Sequence, residues 1–412
     1  MTTNWAGNVT FRAHEVVTPS TAGEVADVLA SADHVRPLGS GHSFTLIADT
    51  DGTLLSTARL TSPPRIDADA RTVTVGAGMR YGDLAPALQA EGWALANLAS
   101  LPHISIGGAI ATGTHGSGDT IGTLSSAVAA LEIVTPAGEI VRLKRDDVEF
   151  SGAVVSLGVL GVTTEVTLDI EPTFDIRQRV YENLPLEVAL DEFDAVMGAA
   201  YSVSMFLRWH DPDVVDQVWT KARGDEAPQL PGGITEAAGK VHMLADVSPD
   251  ATTVQGGTPG AWLDRLPHFQ LSHTPSNGAE LQSELLVPRA RAADALRIVR
   301  GFAEQIAPLI MVTEVRSMRA DELWLSPACG HDAVGIHFTW QPRQAEVEAV
   351  VAQLEEALAP LGARPHWGKL TRLDPEAIAA AWPRASDFAA LARRYDPEGR
   401  MRNDYLSFLD KL

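Results

Sequence analysis

Cysteine is almost absent: Cys329 is the only one in 412 residues. No intrachain disulfide can form, and no cysteine-rich metal centre can be built. Basic residues are scarce as well, with 32 Lys plus Arg against 53 Asp plus Glu and a formal net charge of −21. That balance argues against sequence-independent nucleic-acid binding, which needs a basic surface to release counterions from phosphate. It favours solubility and suits a small uncharged ligand. No apolar run reaches the roughly 18 residues of a membrane span. The first ten residues have neither a basic n-region nor an apolar h-region. No secretory signal is therefore expected, and the expected location is cytoplasmic. A Walker loop, a His-Glu-x-x-His helix and a Gly-x-Ser-x-Gly elbow are all missing, which speaks against an NTPase, a zincin and an α/β-hydrolase.

What remains is an ordinary globular composition, 45% hydrophobic and 21% charged. The length suggests about two to three domains. Residues 1–172 are rich in Gly, Ala, Val and Thr. Leu54–Ser56, Thr72–Val75 and Val162–Leu168 read as strands. Gly82–Gly92 reads as a helix that Asp83 caps and Gly92 ends. The mixture predicts an α+β fold. From Pro172 to about residue 365 aromatics and polar strand faces become commoner. Residues 222–233 read as a loop by their Pro and Gly content. Val287–Arg300 and Gln344–Leu358 read as amphipathic helices. Strands ending at Arg316 and Trp340 lie between them, so the order strand, helix, strand, strand, helix predicts a second α+β unit.

Two Gly-rich segments carry the clearest chemistry. The first is Pro37-Leu38-Gly39-Ser40-Gly41-His42-Ser43, just after a short strand. The second is the run from Ser105 to Gly118, which contains Gly107, Gly108, Thr112, Gly113, Thr114, His115 and Ser117. Without Cβ atoms the backbone can approach a diphosphate, and successive N–H groups can cradle it. Only Arg36, at the edge of the first loop, offers a cation, so backbone amides would do most of the holding. Either loop alone reads equally well as a tight turn; two loops, each with a His, point to a cofactor. The segment Gly76–Gly82 imitates a dinucleotide fingerprint with the wrong spacing, and no acidic residue follows at the required distance. It reads as a turn.

Three later segments share a second pattern. Gln282 and Glu284, Glu314 and Arg316, and His337 and Thr339 are each two residues apart, which puts each pair on one face of a strand. Taken alone, such pairs are better explained by a solvated sheet face. The neighbours Leu309–Val312, Phe338 and Trp340 instead suggest burial, where Glu, Arg and Lys must be paired or bound to a ligand. Lys369 follows in Arg364-Pro365-His366-Trp367-Gly368-Lys369.

These residues carry a resemblance. The loop around His42 resembles the flavin-attachment loop of the vanillyl-alcohol-oxidase type of FAD enzymes. The Gly107–Gly118 run and Ser156–Val162 resemble the sugar-lactone and sugar-alcohol oxidase branch. Thr3–Asn8, Asn97–Ser105, Ala279–Glu284, His337–Trp340 and Ala363–Lys369 extend the likeness over nearly the whole chain, to the alditol oxidase family that includes xylitol and sorbitol oxidases. The tail Met401-Arg402-Asn403 departs from that family's usual aromatic–small–Asn arrangement.

The resemblance implies a two-part FAD-binding domain, residues 1–172 with 366–412, and an α+β substrate domain with a mainly antiparallel sheet, residues 173–365. It implies FAD bonded through its 8α carbon to His42. The cofactor would be held by Pro37, Leu38, Gly39, Ser40, Gly41, Ser43, Ser100, Ser105, Gly108, Thr112, Gly113, Thr114, His115, Val162 and His366. It assigns polyol contacts to Ser100, Gln282, Glu314, Arg316, Thr339 and Lys369, and the catalytic role to Arg316, Lys369 and Glu314. The implied reaction oxidises a terminal –CH2OH to an aldehyde, with hydride passing to flavin N5 and O2 reduced to H2O2. Arg316 and Lys369 are the expected cations for the developing alkoxide. The proton acceptor is either a basic side chain or an ordered water. His337 is either a supporting group or a packed histidine. Small Ala99, before Ser100, would leave O2 a path. A sugar-1,4-lactone oxidase or dehydrogenase on the same fold is the alternative, and a non-enzymatic carbohydrate-binding protein a remote one. The expected partners are a polyol and O2, with no metal, nucleic acid, membrane or obligatory protein partner.

Overall fold

In the computed structural model residues 2–225, 227–272 and 279–412 are described; Met1, and Glu226 within the expected 222–233 loop, lie outside the described residues. The early strands form where their β-branched runs place them, at Thr53–Ser56, Thr72–Gly76 and Val162–Asp169. Thr53–Ser56 is the centre of a small parallel sheet between Glu15–Val17 and Val35–Leu38. Thr72–Gly76 and Val162–Asp169 sit in a five-stranded antiparallel sheet with Arg65–Asp67, Val128–Val134 and Ile140–Lys144. Val162, Thr164, Val166 and Leu168 turn inward and the residues between them outward, the period of a half-buried strand.

Two expectations about helices need correction. The helix expected over 82–92 spans Tyr81–Ala90, and its N-cap is Arg80, not Asp83. Asp83 lies in the first turn and accepts two hydrogen bonds from the Arg80 guanidinium. The helix expected over Val287–Arg300 begins only at Ala292, because Leu281–Pro288 is a strand and Arg289–Arg291 a 3-10 turn. The apolar stretch Leu285–Val287 suits either state locally; pairing with Val334–Ile336 along the neighbouring strand decides it. Gln344–Leu358 forms as expected. Within the Gly76–Gly82 segment, Gly76 ends a strand, Gly82 lies in the first turn of the helix, and the link between them is a turn closed by Met79 N–H donating to the Gly76 carbonyl at 3.0 Å.

The strands after residue 172 build a nine-stranded sheet among the described residues. Its central order is Val214–Ala222, Ser202–Leu207, Ile310–Met318, Ala333–Trp340, Leu281–Pro288, every neighbouring pair antiparallel. Alternation gives this sheet two different buried faces. Leu281, Leu285, Val287, Val315, Ile336 and Phe338 pack beneath Ala292–Arg300 and Gln344–Leu358. Those helices present Ala295, Leu296 and Val299, and Val347, Val351 and Leu354, at helical spacing. The opposite face carries Gln282, Glu284, Glu314, Arg316, His337 and Thr339.

The tail packs against the N-terminal region. Trp367, Trp382, Phe388 and Phe408 share one apolar core with Val73, Leu84, Ile106 and Val166. Trp367 stacks on Trp382 at 4.6 Å between centroids. The unusual Met401-Arg402-Asn403 does not loosen this packing. Met401 is fully buried with Val25, Leu29 and Val35, and Asn403 donates to the carbonyls of Leu46 and Asp49. The whole is an α+β fold in which antiparallel sheets dominate.

Candidate active site

A cavity of about 490 Å³ runs between the two Gly-rich loops and the polar face of the large sheet. Its size suits an organic ligand. The two loops are stitched together: Ser40 N–H donates to Ser105 Oγ, and Ser105 N–H to Ser40 Oγ, each at 3.2 Å. Their approach requires glycine. A Cβ on Gly39 would lie 2.5 Å from Ser105 Oγ and 3.3 Å from Gly108 Cα. The first loop is also pinned from the N-terminus, where Trp5 N–H donates to the Gly41 carbonyl at 2.8 Å and the Trp5 ring stacks on His42 at 4.8 Å. Arg36 does not turn toward the cavity as a free cation. Its guanidinium is spent on the carbonyls of Ile47, Leu157, Gly158 and Met401.

Sheet register brings the three i, i+2 pairs together. Glu314 lies opposite His337, which lies opposite Glu284; Thr339 lies opposite Gln282. All six line the cavity. The solvated-face reading therefore fails: Glu314 is 6%, Arg316 7% and Glu284 1% exposed. Lys369 joins them because residues 366–370 run beside the strand Leu281–Pro288, with His366 N–H on the Glu284 carbonyl and Leu370 N–H on that of Gln282. Phe44 N–H in turn donates to the Gly368 carbonyl, so this stretch ties the His42 loop to the sheet.

The polar wall is a connected network. Arg316 Nη2 donates to Glu284 Oε1 at 2.9 Å, and Arg316 Nε stands 3.6 Å from Glu314 Oε2. Glu314 Oε1 is 2.7 Å from His268 Nε2, and Glu284 Oε1 is 3.1 Å from His115 Nε2. Gln282 Oε1 accepts from Lys369 Nζ and from His337 Nε2. Its amide nitrogen donates to Glu280 Oε1. Gly335 faces this crowd, where a Cβ would come within 2.8 Å of Glu284 Oε1. Two buried atoms on the wall, Arg316 Nε and His115 Nε2, keep their ion-pair contacts to Glu314 and Glu284 but complete no well-aligned hydrogen bond among the described residues. Buried polar atoms without a well-formed hydrogen bond are uncommon, and these two face a cavity where a polar ligand can meet them.

Electrostatics sort these groups. Burial alone would raise the Glu314 carboxyl, but Arg316 and His268 outweigh it and hold it well below the usual carboxylate range. Glu284 is held low in the same way by His115 and Arg316 against its own burial. Burial, with Arg316 nearby and only partial relief from Glu284, brings Lys369 down to about 8. Burial and the Lys369 charge bring His337 to about 3, so it is neutral. His42 is brought to about 4 by burial, then by Lys369 and His103, and is likewise a neutral imidazole. His115, Glu284 and His366 could bring ligand atoms within 4.8 Å of one another. A cation there would compete with the Arg316 guanidinium on Glu284. His366 Nδ1 accepts from Gly368 N–H at 3.0 Å, which leaves the hydrogen on Nε2, the wrong tautomer for a ligand.

Of the expected residues, Pro37 to Ser43, Ser100, Gly108, Thr112, Thr114, His115 and His366 line the cavity. Ser105, Gly113 and Val162 are not on its wall. Ser105 supports Ser40 from behind, Gly113 packs on Pro327, and Val162 is buried in a strand of the five-stranded sheet. The structure adds Glu280 and His268 to the wall, with Lys221 behind His268. Glu280 continues the i, i+2 spacing of Gln282 and Glu284 and was legible on that ground. His268 sits in irregular backbone, and nothing in its sequence neighbourhood marks it.

Among the described residues no helix is long and apolar enough to cross a membrane. Residues 13–144 match the FAD binding domain family, and residues 279–409 match the D-arabinono-1,4-lactone oxidase family. The chain is 48% identical over 408 residues to alditol oxidase from a Streptomyces species, covering 98% of this chain and 97% of that protein. It is 29% identical over 422 residues to L-gulono-1,4-lactone dehydrogenase from Mycobacterium tuberculosis, with coverage of 98% and 97%. Cholesterol oxidase from Brevibacterium sterolicum has the same fold, with a TM-score of 0.78 at 16% identity over 99% of this chain and 96% of that one.

Proposed function

The chain belongs to the alditol oxidase family of FAD-dependent oxidoreductases, and on that premise we propose that it oxidises the terminal primary alcohol of alditols such as xylitol and sorbitol to the aldehyde. The observation that supports this best is the convergence of Gln282, Glu314, Arg316, Thr339 and Lys369 on one buried wall, opposite the two Gly loops. On the same reading residues 1–172 and 366–412 hold FAD, and residues 173–365 shape the substrate end.

FAD, when bound, supplies the hydride acceptor at N5 and passes the electrons on to O2, giving H2O2. The protein's part is to place and polarise the alcohol. Arg316 and Lys369 set a positive field where the hydroxyl becomes an alkoxide. Glu314 and Glu284 fix the Arg316 guanidinium between them. Gln282, held by three partners, presents a rigid amide; Ser100 and Thr339 add hydroxyl contacts. Such a set discriminates by hydrogen bonding, since a substrate lacking a hydroxyl leaves buried groups unpaired. His42, neutral and stacked on Trp5, is the proposed point of covalent attachment, because only an unprotonated imidazole nitrogen can bond the 8α carbon. The expected location is the cytoplasm.

The D-arabinono-1,4-lactone oxidase match over residues 279–409 favours a second reading, oxidation of a sugar lactone on the same wall. Anaerobic mixing decides between them. Xylitol or sorbitol should bleach the flavin, and readmitted air should restore the colour with one H2O2 per turnover. Bleaching by a γ-lactone but by no polyol would replace the first reading with the second. Flavin fluorescence that stays with the chain in denaturing electrophoresis, and is lost in His42→Ala, is the expected sign of the covalent bond.

A further inference from the structure

A buried lysine that the mechanism above does not use lies behind the polar wall. Lys221 is 2% exposed and fully enclosed by protein. Register puts it on the cavity-facing side of the sheet: Arg316 lies opposite Ser204, Ser204 opposite Trp219, and Lys221 is two residues further on the same strand. Its Nζ donates to the Leu266 carbonyl and contacts His268 Nδ1 at 3.1 Å. His268 Nε2 in turn is 2.7 Å from Glu314 Oε1. The chain Lys221–His268–Glu314 thus runs from the interior to the cavity wall.

The His268 ring has little freedom. It meets the edges of Phe206 and Trp219 at centroid distances of 5.5 and 5.3 Å. Its carbonyl accepts from Thr253 N–H at 2.9 Å. Only the choice of tautomer is left open, and the neighbours make it. An ammonium is donor only, so Nδ1 must accept from Lys221, which leaves the hydrogen on Nε2, pointing at Glu314. A neutral amine at Lys221 would permit the other tautomer, whose Nε2 lone pair would face the Glu314 carboxylate. The groups facing Lys221 are His268, Glu314 and Arg316; the second favours its charge and the third opposes it.

We propose that Lys221 and His268 are positioning residues that lock Glu314 as an ionised acceptor aimed into the cavity, so that polyol binding depends on a lysine that never touches the polyol. This rests on the reading of Glu314 as a substrate contact. It differs from a packing role because it couples substrate affinity to the charge on Lys221. Burial first, and then Arg316, brings that lysine down to about 7, although Glu314 opposes the shift. Below that pH the ammonium forces the Nε2–H tautomer on His268; above it the neutral amine no longer does, and the hold on Glu314 loosens.

The test uses flavin-loaded protein, with xylitol as probe, in wild type, Lys221→Met and Lys221→Arg. Anaerobic stopped-flow reduction gives the polyol Kd and the limiting reduction rate from pH 6 to 9. In wild type Kd should weaken as pH rises through about 7. Lys221→Met should bind xylitol about tenfold more weakly at pH 6, the scale of one lost charge-assisted hydrogen bond. Its affinity should also lose that pH step. Lys221→Arg, whose charge persists, should keep tight binding to higher pH. In 15N-histidine-labelled protein the His268 signals should show the Nε2–H tautomer in wild type and change in Lys221→Met. Wild-type Kd, pH profile and His268 tautomer in Lys221→Met would reduce Lys221 to a packing group. If Lys221→Met does not fold, the Lys221→Arg profile and the wild-type tautomer decide. Failure of xylitol to reduce wild-type flavin would instead refute the polyol reading, while the tautomer measurement would still judge the relay.

Discussion

Replacing Arg316 by methionine probes the centre of the site. Arg316 stands between two carboxylates, with Nη2 at 2.9 Å from Glu284 Oε1 and Nε at 3.6 Å from Glu314 Oε2. All three residues are buried. Methionine fills much of the volume but leaves both carboxylates without their shared cation. Breaking a buried pair in this way costs about 3–5 kcal/mol. His268 and His115 still face Glu314 and Glu284, which places the expected loss toward the lower end of that range. The sign of the pH dependence follows from the two carboxyls. Both have folded pKa values below the ordinary range, so in wild type they contribute stability above that range and lose it only as pH falls through the folded values. In Arg316→Met the folded values rise, and at neutral pH the carboxylates are charged at a cost. The deficit should therefore be largest at pH 8 and shrink toward pH 5, where protonation relieves it. Adding Glu284→Gln should restore part of the loss, with a coupling of about 0.5–3 kcal/mol. Thermal and urea unfolding of flavin-loaded wild type, both singles and the double, at pH 5.5 and 8, measure this. Additive losses that do not vary with pH, together with intact polyol turnover, would refute the buried-pair reasoning.

Lys369→Met should lose mainly the limiting rate of flavin reduction, by about 2.7–4 kcal/mol in activation free energy, the scale of a deleted transition-state donor; near-wild-type single-turnover reduction would remove it from the chemistry. Gln282→Ala should raise KM more than it lowers kcat, by about 0.5–1.5 kcal/mol, and should be non-additive with Lys369→Met because Lys369 donates to Gln282 Oε1. With Lys369 brought to about 8 by burial, the reduction rate should fall as pH rises through that value and the ammonium deprotonates; a rate that holds level to pH 10 would mean the charge is not needed. Gly335→Ala should cost about 1–3 kcal/mol by overpacking, since its Cβ would meet Glu284 Oε1 at 2.8 Å; a melting temperature like wild type would show that the wall can give way.

Much of this protein was legible as local pattern. Glycines mark places where backbone must pass close to something, so the His42 loop and the Gly107–Gly118 run stood out, as did the turn at Gly76–Gly82. Period-2 spacing put Gln282 with Glu284, Glu314 with Arg316 and His337 with Thr339, because in a strand that spacing holds whatever the strand pairs with. Helical spacing marked Gln344–Leu358 for the same reason. Long-range pairing could not be read this way. Leu285–Val287 carries no local sign that it pairs with Val334–Ile336 instead of opening a helix. Lys221 and His268 lie 47 residues apart, and only the ladder from Arg316 through Ser204 to Trp219 and the fold of Leu266–His268 beneath it bring them to Glu314. Sequence by itself determined which residues share a face, because backbone geometry fixes that within a few residues. Which faces meet, and so which charges must neutralise one another away from water, was decided only by the tertiary structure, because that depends on strand register between segments far apart in the chain.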